Sequence, residues 1–365
     1  MAKIIMNSTP RKDGFYMPGE FNPQQRIFMA WPDRCDNWRL GAKPAQMAYK
    51  NVALAISKFT PVTILVNPEQ FVNARNQLPD YIQVIEMSLN DAWLRDTGPT
   101  FLINDKNEMR AIDWKFNAWG GLYDGLYFPW DKDALVAQKI CELAQIDFYK
   151  PENFVLEGGS FHVDGQGTLI TTEMCLLSKG RNPNMTKIEI EETLCEYLNI
   201  QKVIWIKDGI DPYETNGHID DVACFIRPGE VACIYTEDKN HPFYKEAQDA
   251  YNTLSKAIDA KGRKLKVHKL TLTKKPIYLK GAETIDYQIN SAPRKNGDLC
   301  IASYVNFLIT NKGVIVPQFD DENDALAISQ IESMFNEYEV IGVKTKEIVY
   351  GGGNIHCITQ QMPKV

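Results

Sequence analysis

The 365-residue sequence lacks the segments that mark a secreted or membrane protein. Its N-terminus, Met1 to Pro10, has no apolar stretch of the about 7 to 15 residues that a secretory signal needs. No run elsewhere approaches the roughly 20 apolar residues of a membrane-spanning helix. We therefore expect a cytoplasmic protein without membrane contacts.

Close metal-ligand pairs are also missing. No two of the eight cysteines form a C-x-x-C pair, and no H-x-x-x-H pair occurs. Most cysteines lie in apolar runs, which is typical of reduced, buried thiols in a cytosolic protein. Zinc is the competing interpretation where Cys, His and Asp occur together, but without such pairs we expect no metal and no cofactor.

Positive charge is in short supply, since 40 Lys and Arg stand against 47 Asp and Glu, for a formal net charge of −7. A nucleic-acid-binding surface shows clustered Lys and Arg and a net positive domain, so we expect no nucleic-acid partner. A cationic small substrate suits this balance better. With 44% hydrophobic and 24% charged residues, the composition is that of a globular protein.

No low-complexity segment or Pro/Ser-rich linker divides the chain. Its length suffices for a core without disulfides. We therefore expect a single domain over residues 1–365. Whether copies associate as a homo-oligomer is left open by the sequence.

Four segments are predicted to form β-hairpins, because each has two apolar, β-rich runs around a turn. They are Thr100 to Asp113, Phe161 to Glu173, Asp220 to Glu237 and Tyr304 to Phe319. A helical pattern follows each hairpin, within Lys132 to Ile146, Thr186 to Leu198, Phe243 to Ile258 and Asp321 to Tyr338. A short strand follows each helix, at Phe154 to Leu156, Lys202 to Ile206, Lys264 to Leu270 and Val340 to Val343.

The result is a strand-strand-helix-strand unit found four times. A fifth forms if a last strand around Ile355 to Thr359 pairs with the first, Arg26 to Trp31, ahead of a helix near Gln46 to Phe59 and the strand Val62 to Val66. The chain then closes on itself. We predict an α/β fold of repeated units with pseudo-fivefold symmetry, in which equivalent loops meet at a central axis.

Polar residues interrupt the pattern just before the hairpins. Asp96 precedes the first hairpin, Glu157 the second, and the pair His218 and Asp220 leads into the third, while Cys357 follows three glycines near the end. If the units are equivalent, these four loops converge. On an extended segment, His218 and Asp220 point to the same face.

Cys357 differs from the other cysteines in following Gly351 to Gly353, a run that lets backbone approach a ligand closely. A thiol with a nearby histidine is a recurring arrangement for covalent catalysis, in which a carboxylate orients the histidine. His356 is adjacent, but neighbouring strand residues point oppositely, so His218 is the preferred partner. Glu157, which ends an apolar strand, needs a partner if buried, and His218 is the candidate.

Eight segments carry a family resemblance: "FMAWP", "DAWLRDTGP", "DWKFNAWGG", "LEGGSFHVDGQGTL", "ETNGHIDD", "ASYVNF", "VIVPQF" and "GGGNIHCITQQ". The sequence resembles the agmatine deiminases from about Met17 to Gln361. That family belongs to the guanidine-modifying enzymes of the pentein fold. The resemblance implies a five-bladed α/β propeller and agmatine as the small-molecule substrate.

The resemblance also implies the roles of five residues. Cys357 is the expected nucleophile and His218 the general acid and base. Asp96 and Asp220 are expected to clamp the guanidinium, whose paired donors match carboxylates bidentately, and Glu157 to support His218 and the guanidinium end of the site. The expected reaction passes through a thiouronium on Cys357, releases ammonia and leaves N-carbamoylputrescine, without a cofactor.

At the far end of the substrate, Glu214 is the candidate by charge and Trp93 by stacking or cation-π contact. The sequence departs from the family pattern in "MPGEFNPQQ" and "NGHIDD". Neither removes an expected catalytic residue, but Asn216 in place of Asp takes a negative charge from beside the site.

Two alternatives stay open. A bacterial-type peptidylarginine deiminase shares the fold and nucleophile, and a non-catalytic pentein that binds a partner shares the fold only. The complete set of thiol, imidazole and carboxylates disfavours the second.

We also expect an unusual acidity for the nucleophile. The carboxylates Asp96, Asp220 and Glu157 should raise the pKa of Cys357 above the roughly 8.5 of a free thiol, although a protonated His218 opposes this. The resting thiol should therefore be mostly neutral.

Overall fold

One strand arrangement occurs five times in the structure, a computed structural model that describes residues 2–365. In each unit two antiparallel strands come first, and a third strand pairs in parallel with the second. In order of their first, second and third strands, the units are Thr359–Pro363, Gln24–Ala30 and Val62–Val66; Thr100–Ile103, Met109–Ile112 and Phe148–Tyr149; Phe161–Val163, Thr168–Thr172 and Lys202–Ile206; Ala223–Arg227, Glu230–Tyr235 and Lys266–Thr271; Leu308–Ile309, Gly313–Gln318 and Glu339–Lys344.

A helix connects the second and third strands of each unit, as a parallel pair requires a crossover. These helices are Lys43–Ile56, Val136–Ala144, Lys187–Leu198, Tyr244–Lys256 and Asp324–Met334. The repeated unit predicted from the sequence is therefore present, and the architecture is mixed α/β.

The two ends of the chain meet in one sheet. Thr359–Pro363 pairs antiparallel with Gln24–Ala30, so the predicted pairing of the last strand with the first is confirmed. The strand Val62–Val66 is buried at every position and lies between Gln24–Ala30 and Gln83–Glu86 in the sheet.

Local sequence patterns account for two of the connecting helices. Thr186 caps Lys187–Leu198 in a capping box with Glu189, as the sequence predicts. In Tyr244–Lys256, the side chains of Ala247, Ala250 and Leu254 are buried at helical spacing.

Two predicted strands are misplaced. Phe154 to Leu156 contributes only a single bridge, between Val155 and Lys115, because the side chain of Asn182 takes both the N–H and the C=O of Val155. The third strand of that unit lies earlier, at Phe148–Tyr149. The last strand begins at Thr359 and not at Ile355, since the chain before Thr359 is folded into turns.

The remaining elements connect or extend the units. Short helices and 3₁₀ turns occupy Pro10–Asp13, Arg39–Ala42, Pro68–Gln70, Phe71–Gln77, Leu94–Thr97, Gly121–Asp124, Asp133–Leu135, Gly158–Ser160, Glu173–Leu176, Ile219–Asp221, Ala282–Thr284 and Lys346–Val349. The outer strands Ile4–Ile5 and Gln83–Glu86 extend two sheets, and Ile277–Tyr278 with Leu299–Cys300 forms a separate hairpin. Among residues 2–365, every helix is too short or too polar to cross a bilayer.

The turns that precede the first strands place the polar residues. Leu94–Thr97, Gly158–Ser160 and Ile219–Asp221 each precede a first strand, and Gly158–Ser160 contacts both of the other turns. The equivalent position before Thr359 carries Cys357, and the one before Leu308 carries Asn306.

Candidate active site

Asp96 lies in the one-turn helix Leu94–Thr97 and is held by two donors. The indole Nε1 of Trp119 lies 2.8 Å from Oδ2, and the backbone N–H of Gly159 lies 2.8 Å from Oδ1. Burial raises the pKa of this carboxyl, and the nearby His218 only partly offsets it. Asp96 is thus fixed in direction while its charge is destabilised.

Glu157 is fully buried and paired with a buried arginine. Its Oε1 lies 2.7 Å from Nε of Arg181, and neither side chain is exposed. Burial works against the carboxylate, but Arg181 and His218 together lower its pKa. Arg181 also donates to the backbone oxygens of Trp119 and Thr215, so one guanidinium ties three loops of the site together.

The ring of His218 stands between three carboxylates. Nδ1 is 3.9 Å from Asp96 and 4.0 Å from Asp220, and Nε2 is 3.8 Å from Glu157. Although burial opposes the imidazolium, Asp96 and Glu157 raise the pKa of His218 well above its usual value. The segment is a 3₁₀ turn, so the extended geometry expected of it is wrong, yet His218 and Asp220 still face one chamber.

Cys357 is buried beside Asp220, with Sγ 3.4 Å from Oδ2. Burial raises the pKa of the thiol well above its usual value, and Asp220, Asp221 and Asp96 add to this. This is the direction expected from the sequence, but burial is its largest cause, and the third carboxylate involved is Asp221 where the expectation named Glu157.

Asn306 is the polar residue of the fifth pre-hairpin turn. Its Oδ1 accepts the backbone N–H of His356 at 2.9 Å and that of Cys357 at 3.4 Å. Its Nδ2 lies 3.2 Å from Cys357 Sγ and 3.1 Å from Asp221 Oδ1. An amide N–H thus faces the sulfur.

Gly159 creates the space in which these groups meet. A Cβ on this residue would stand 2.6 Å from His218 Nδ1 and 3.0 Å from both Asp220 Oδ2 and Asp96 Oδ1. A small planar cation in this chamber would meet carboxylates on two sides and the thiol nearby.

The chamber opens into a cavity of about 430 Å³ that includes Trp93, Trp119, Glu214 and Cys357 in its wall. Trp93 is stacked on Trp38, with ring centroids 5.2 Å apart, and its Nε1 donates to Asp91 at 3.0 Å. The aromatic ring is therefore rigidly placed beside Gly353, which adjoins Cys357.

Glu214 also lines the cavity, but a cation already contacts it. Arg294 Nη1 and Nη2 lie 2.8 and 3.0 Å from its two carboxylate oxygens, and Nη2 also donates to the backbone oxygen of Gly351. Burial raises the pKa of Glu214, partly offset by Arg294. Gly352 allows this contact, because a Cβ there would lie 2.1 Å from Glu214.

The structure thus brings together Cys357, His218, Asp96, Asp220 and Glu157, and sets Trp93 and Glu214 farther along the cavity wall. Sequence reasoning missed three supporting residues: Trp119, Arg181 and Asn306. The repeat itself contains the signal for Asn306, since it fills the pre-hairpin position of the fifth unit. Arg181 offers no such signal.

Three buried groups have donor atoms close enough to share a cation, at Glu20, His162 and His356; Glu157, Cys175 and His218; and Asp220, Asp221 and Cys357. In the first two, Arg95, Arg181 and the histidines already stand against the carboxylates. In these two groups the positive charge that the acids need is therefore supplied by protein side chains. In the third group, His356 contacts Asp220 and the amide of Asn306 contacts Asp221.

Comparison with known proteins shows which family and which solved structures the chain is similar to. The model of the Porphyromonas-type peptidyl-arginine deiminase family matches residues 16–363. A solved structure of agmatine deiminase from Enterococcus faecalis is 64% identical, covers 100% of both chains and has a TM-score of 0.99. The agmatine deiminase of Pseudomonas aeruginosa strain UCBPP-PA14 is 51% identical over 98% of this chain and 97% of its own length. A C. jejuni agmatine deiminase with substrate bound, a cysteine-to-serine variant, is 25% identical with a TM-score of 0.81 over 96% of both chains.

Proposed function

The chain belongs to the Porphyromonas-type peptidyl-arginine deiminase family, and we propose that within it the chain is an agmatine deiminase, which converts agmatine and water to N-carbamoylputrescine and ammonia. The observation that carries the proposal is the chamber at Gly159, where a thiol, an imidazole and carboxylates converge. The high similarity to agmatine deiminases supports the choice of substrate.

Substrate binding is proposed to use Asp96 and Asp220 as a clamp. Asp96 is held by Trp119 and Gly159, and Asp220 lies beside Cys357. Carboxylates fixed in this way can accept the N–H groups of a guanidinium in a set orientation, which holds its central carbon near the sulfur.

The first chemical step is attack of the Cys357 sulfur on the guanidinium carbon. The thiol, neutral in the free enzyme, loses its proton to solvent once the bound cation favours the thiolate. The C–S bond forms, His218 gives its proton to a departing nitrogen, and the C–N bond breaks to release ammonia. A thiouronium remains on Cys357.

In the second step water attacks the thiouronium carbon. His218, now neutral, takes one proton of the water, and the second goes to solvent as the C–S bond breaks. Glu157, paired with Arg181, stabilises the imidazolium that forms. The products are the ureido compound and the free thiolate, and no cofactor takes part.

Recognition of the substrate's ammonium is assigned to the outer cavity. Trp93 offers an aromatic face and Glu214 a carboxylate. Because Arg294 already pairs with Glu214, the ammonium must share or displace that cation.

We further propose that the five units are the blades of an α/β propeller, and that residues 1–365 form one catalytic domain. The contacts of Gly158–Ser160 with the chain-remote turns Leu94–Thr97 and Ile219–Asp221 support this arrangement. Within residues 2–365 all eight cysteines are free, which supports a reducing, cytoplasmic location.

The proposal is tested by assaying ureido product from agmatine, free arginine and an arginine peptide side by side. We expect turnover of agmatine alone to be substantial. Comparable turnover of the peptide would favour a peptidylarginine deiminase, and no ammonia from any guanidino compound would favour a non-catalytic role. In parallel, mass spectrometry of protein quenched during turnover should find the adduct on the Cys357 peptide.

Cys357→Ser should keep agmatine binding and lose turnover, because the clamp is unchanged but a hydroxyl is far less acidic than a thiol. His218→Ala should stop or stall the first step. Activity within about tenfold of the parent in Cys357→Ser would exclude this residue as nucleophile.

A further inference from the structure

His356 is the neighbour of Cys357 in the sequence, and its ring contacts two carboxylates. Nδ1 is 2.9 Å from Asp220 Oδ2, and Nε2 is 2.8 Å from Glu20 Oε2. All three side chains are buried. The result is a chain of contacts from Asp220 through His356 to Glu20, which stands near the other end of the polypeptide.

Both ring nitrogens of His356 face carboxylate oxygens. An ionised carboxylate only accepts hydrogen bonds, so both nitrogens must donate, and the ring is an imidazolium. Burial and Arg95 act against this charge, but Glu20 and Asp220 outweigh them and raise the pKa of His356. The ring is therefore a fixed cation in the wall of the site.

The hydrogen bond from His356 is made to the Asp220 oxygen that lies beside both the sulfur and the chamber. Oδ2 accepts the hydrogen bond from His356 Nδ1, lies 3.4 Å from Cys357 Sγ and borders the chamber at Gly159. Oδ1 makes no hydrogen bond within residues 2–365 and is left for a ligand. Burial disfavours the Asp220 charge, but His356, followed by His218 and Arg95, lowers its pKa.

We propose that His356 is a positioning residue that fixes the direction of the Asp220 carboxylate and keeps it ionised for the guanidinium, with Glu20 as the anchor of its ring. This deepens the proposed function and rests on it. The ring nitrogens of His356 bond to Asp220 and Glu20, so His356 is proposed to act through Asp220.

The surroundings contain other charged groups. Glu20 also faces His162 and Arg95, both at 3.7 Å, while Asp220 also faces His218, Asp221 and Cys357, and Asp96 lies across the chamber. The ring of His162 differs from that of His356. Its Nδ1 accepts the backbone N–H of Phe225, and burial lowers its pKa, so it is neutral.

Two substitutions of His356 remove the positive charge of its ring, and only one of them keeps the hydrogen bond to Asp220. The amide nitrogen of Asn and Nδ1 of His are both two bonds from Cβ, so His356→Asn can still donate to Asp220. The amide nitrogen of Gln matches Nε2, so His356→Gln can still donate to Glu20 only. His162→Gln is the control, because it changes the other histidine beside Glu20 without touching Asp220.

The experiment measures the dissociation constant of agmatine against pH by calorimetry, with each variant in the Cys357→Ser background. Without the His356 imidazolium, the pKa of the clamp carboxylates should rise. As the pH is lowered, these carboxylates should then be protonated, and agmatine binding lost, at a higher pH than in the parent. We expect this acid limb to move up by about one pH unit in both His356 variants. At pH 8, binding should weaken about tenfold in His356→Gln and less than about threefold in His356→Asn. The control should match the parent.

Unchanged constants and acid limbs in folded His356 variants, or an equal change in His162→Gln, would overturn the proposal. A second measurement needs no substitution at His356. In ¹⁵N-histidine NMR of the Cys357→Ser protein, the His356 ring should carry two protons at pH 7, and a neutral ring would overturn the proposal. If the Cys357→Ser protein does not bind agmatine and the unmodified enzyme forms no ureido product, the proposed function is contradicted instead.

Discussion

The side-chain nitrogen of Asn306 lies 3.2 Å from Cys357 Sγ and points toward the sulfur. The orientation is fixed, because Asn306 Oδ1 accepts the backbone N–H groups of His356 and Cys357, which leaves Nδ2 as the amide donor at the sulfur. Oδ1 itself lies slightly farther from Sγ, at 3.5 Å. An N–H donor in this place stabilises a thiolate and leaves a neutral thiol unaffected.

We therefore predict that Asn306→Asp lowers kcat/KM roughly 10²-fold, comparable to the loss of an oxyanion-hole donor. The substitution keeps the shape of the side chain and the oxygen that accepts the backbone N–H groups, but it replaces the NH₂ donor at the sulfur with an oxygen acceptor. Steady-state kinetics and the pH dependence of Cys357 alkylation measure the effect. A kcat/KM within about threefold of the parent would show that the donor is dispensable.

Gly159→Ala should abolish agmatine binding. The added methyl would stand 2.6 Å from His218 Nδ1 and between the two clamp carboxylates, in the space assigned to the guanidinium. Gly159 is not among the residues with positive φ, so the backbone tolerates alanine and the effect is steric. We expect KM to rise at least about a hundredfold, and the midpoint of thermal unfolding to fall because the methyl crowds buried side chains. An unchanged KM would place the guanidinium elsewhere.

The thiol of the free enzyme should titrate above the roughly 8.5 of an unperturbed cysteine, because burial first and then the carboxylates raise the pKa of Cys357. The inactivation rate by a neutral alkylating reagent should therefore still rise above pH 8. The Cys357→Ser variant is the blank: it retains the exposed Cys35, so subtracting its reaction leaves the reaction of Cys357. A titration midpoint below about 7 would mean that the thiolate forms before substrate binds, contrary to the proposed sequence of steps.

Arg181→Met should lower the free energy of unfolding by about 3–5 kcal/mol, because it leaves the buried carboxylate of Glu157 without its partner. Adding Glu157→Gln removes the unpaired charge, so the double variant should recover part of the stability but not the activity. Urea unfolding of both variants measures this. A double variant no more stable than Arg181→Met would show that the charge is not the cause.

Much of the fold follows from local patterns. The four hairpins and the helices after them were predicted near their observed positions, because turn residues and apolar periodicity act over a few neighbouring residues. The strand placed at Phe154 to Leu156 failed for a reason outside that range. Asn182, which follows it by more than twenty residues, occupies its backbone hydrogen-bonding groups.

The candidate site divides in the same way. The sequence by itself determined which groups are the candidates for the proposed chemistry, since Asp96, Glu157, His218, Asp220 and Cys357 stand in matching turns or follow a glycine run. Only the tertiary structure decided their partners: Arg181 for Glu157, Arg294 for Glu214, and Glu20 for His356, 336 residues away. A buried polar group must be satisfied by whichever donor or acceptor packing brings beside it, and no local period encodes that choice.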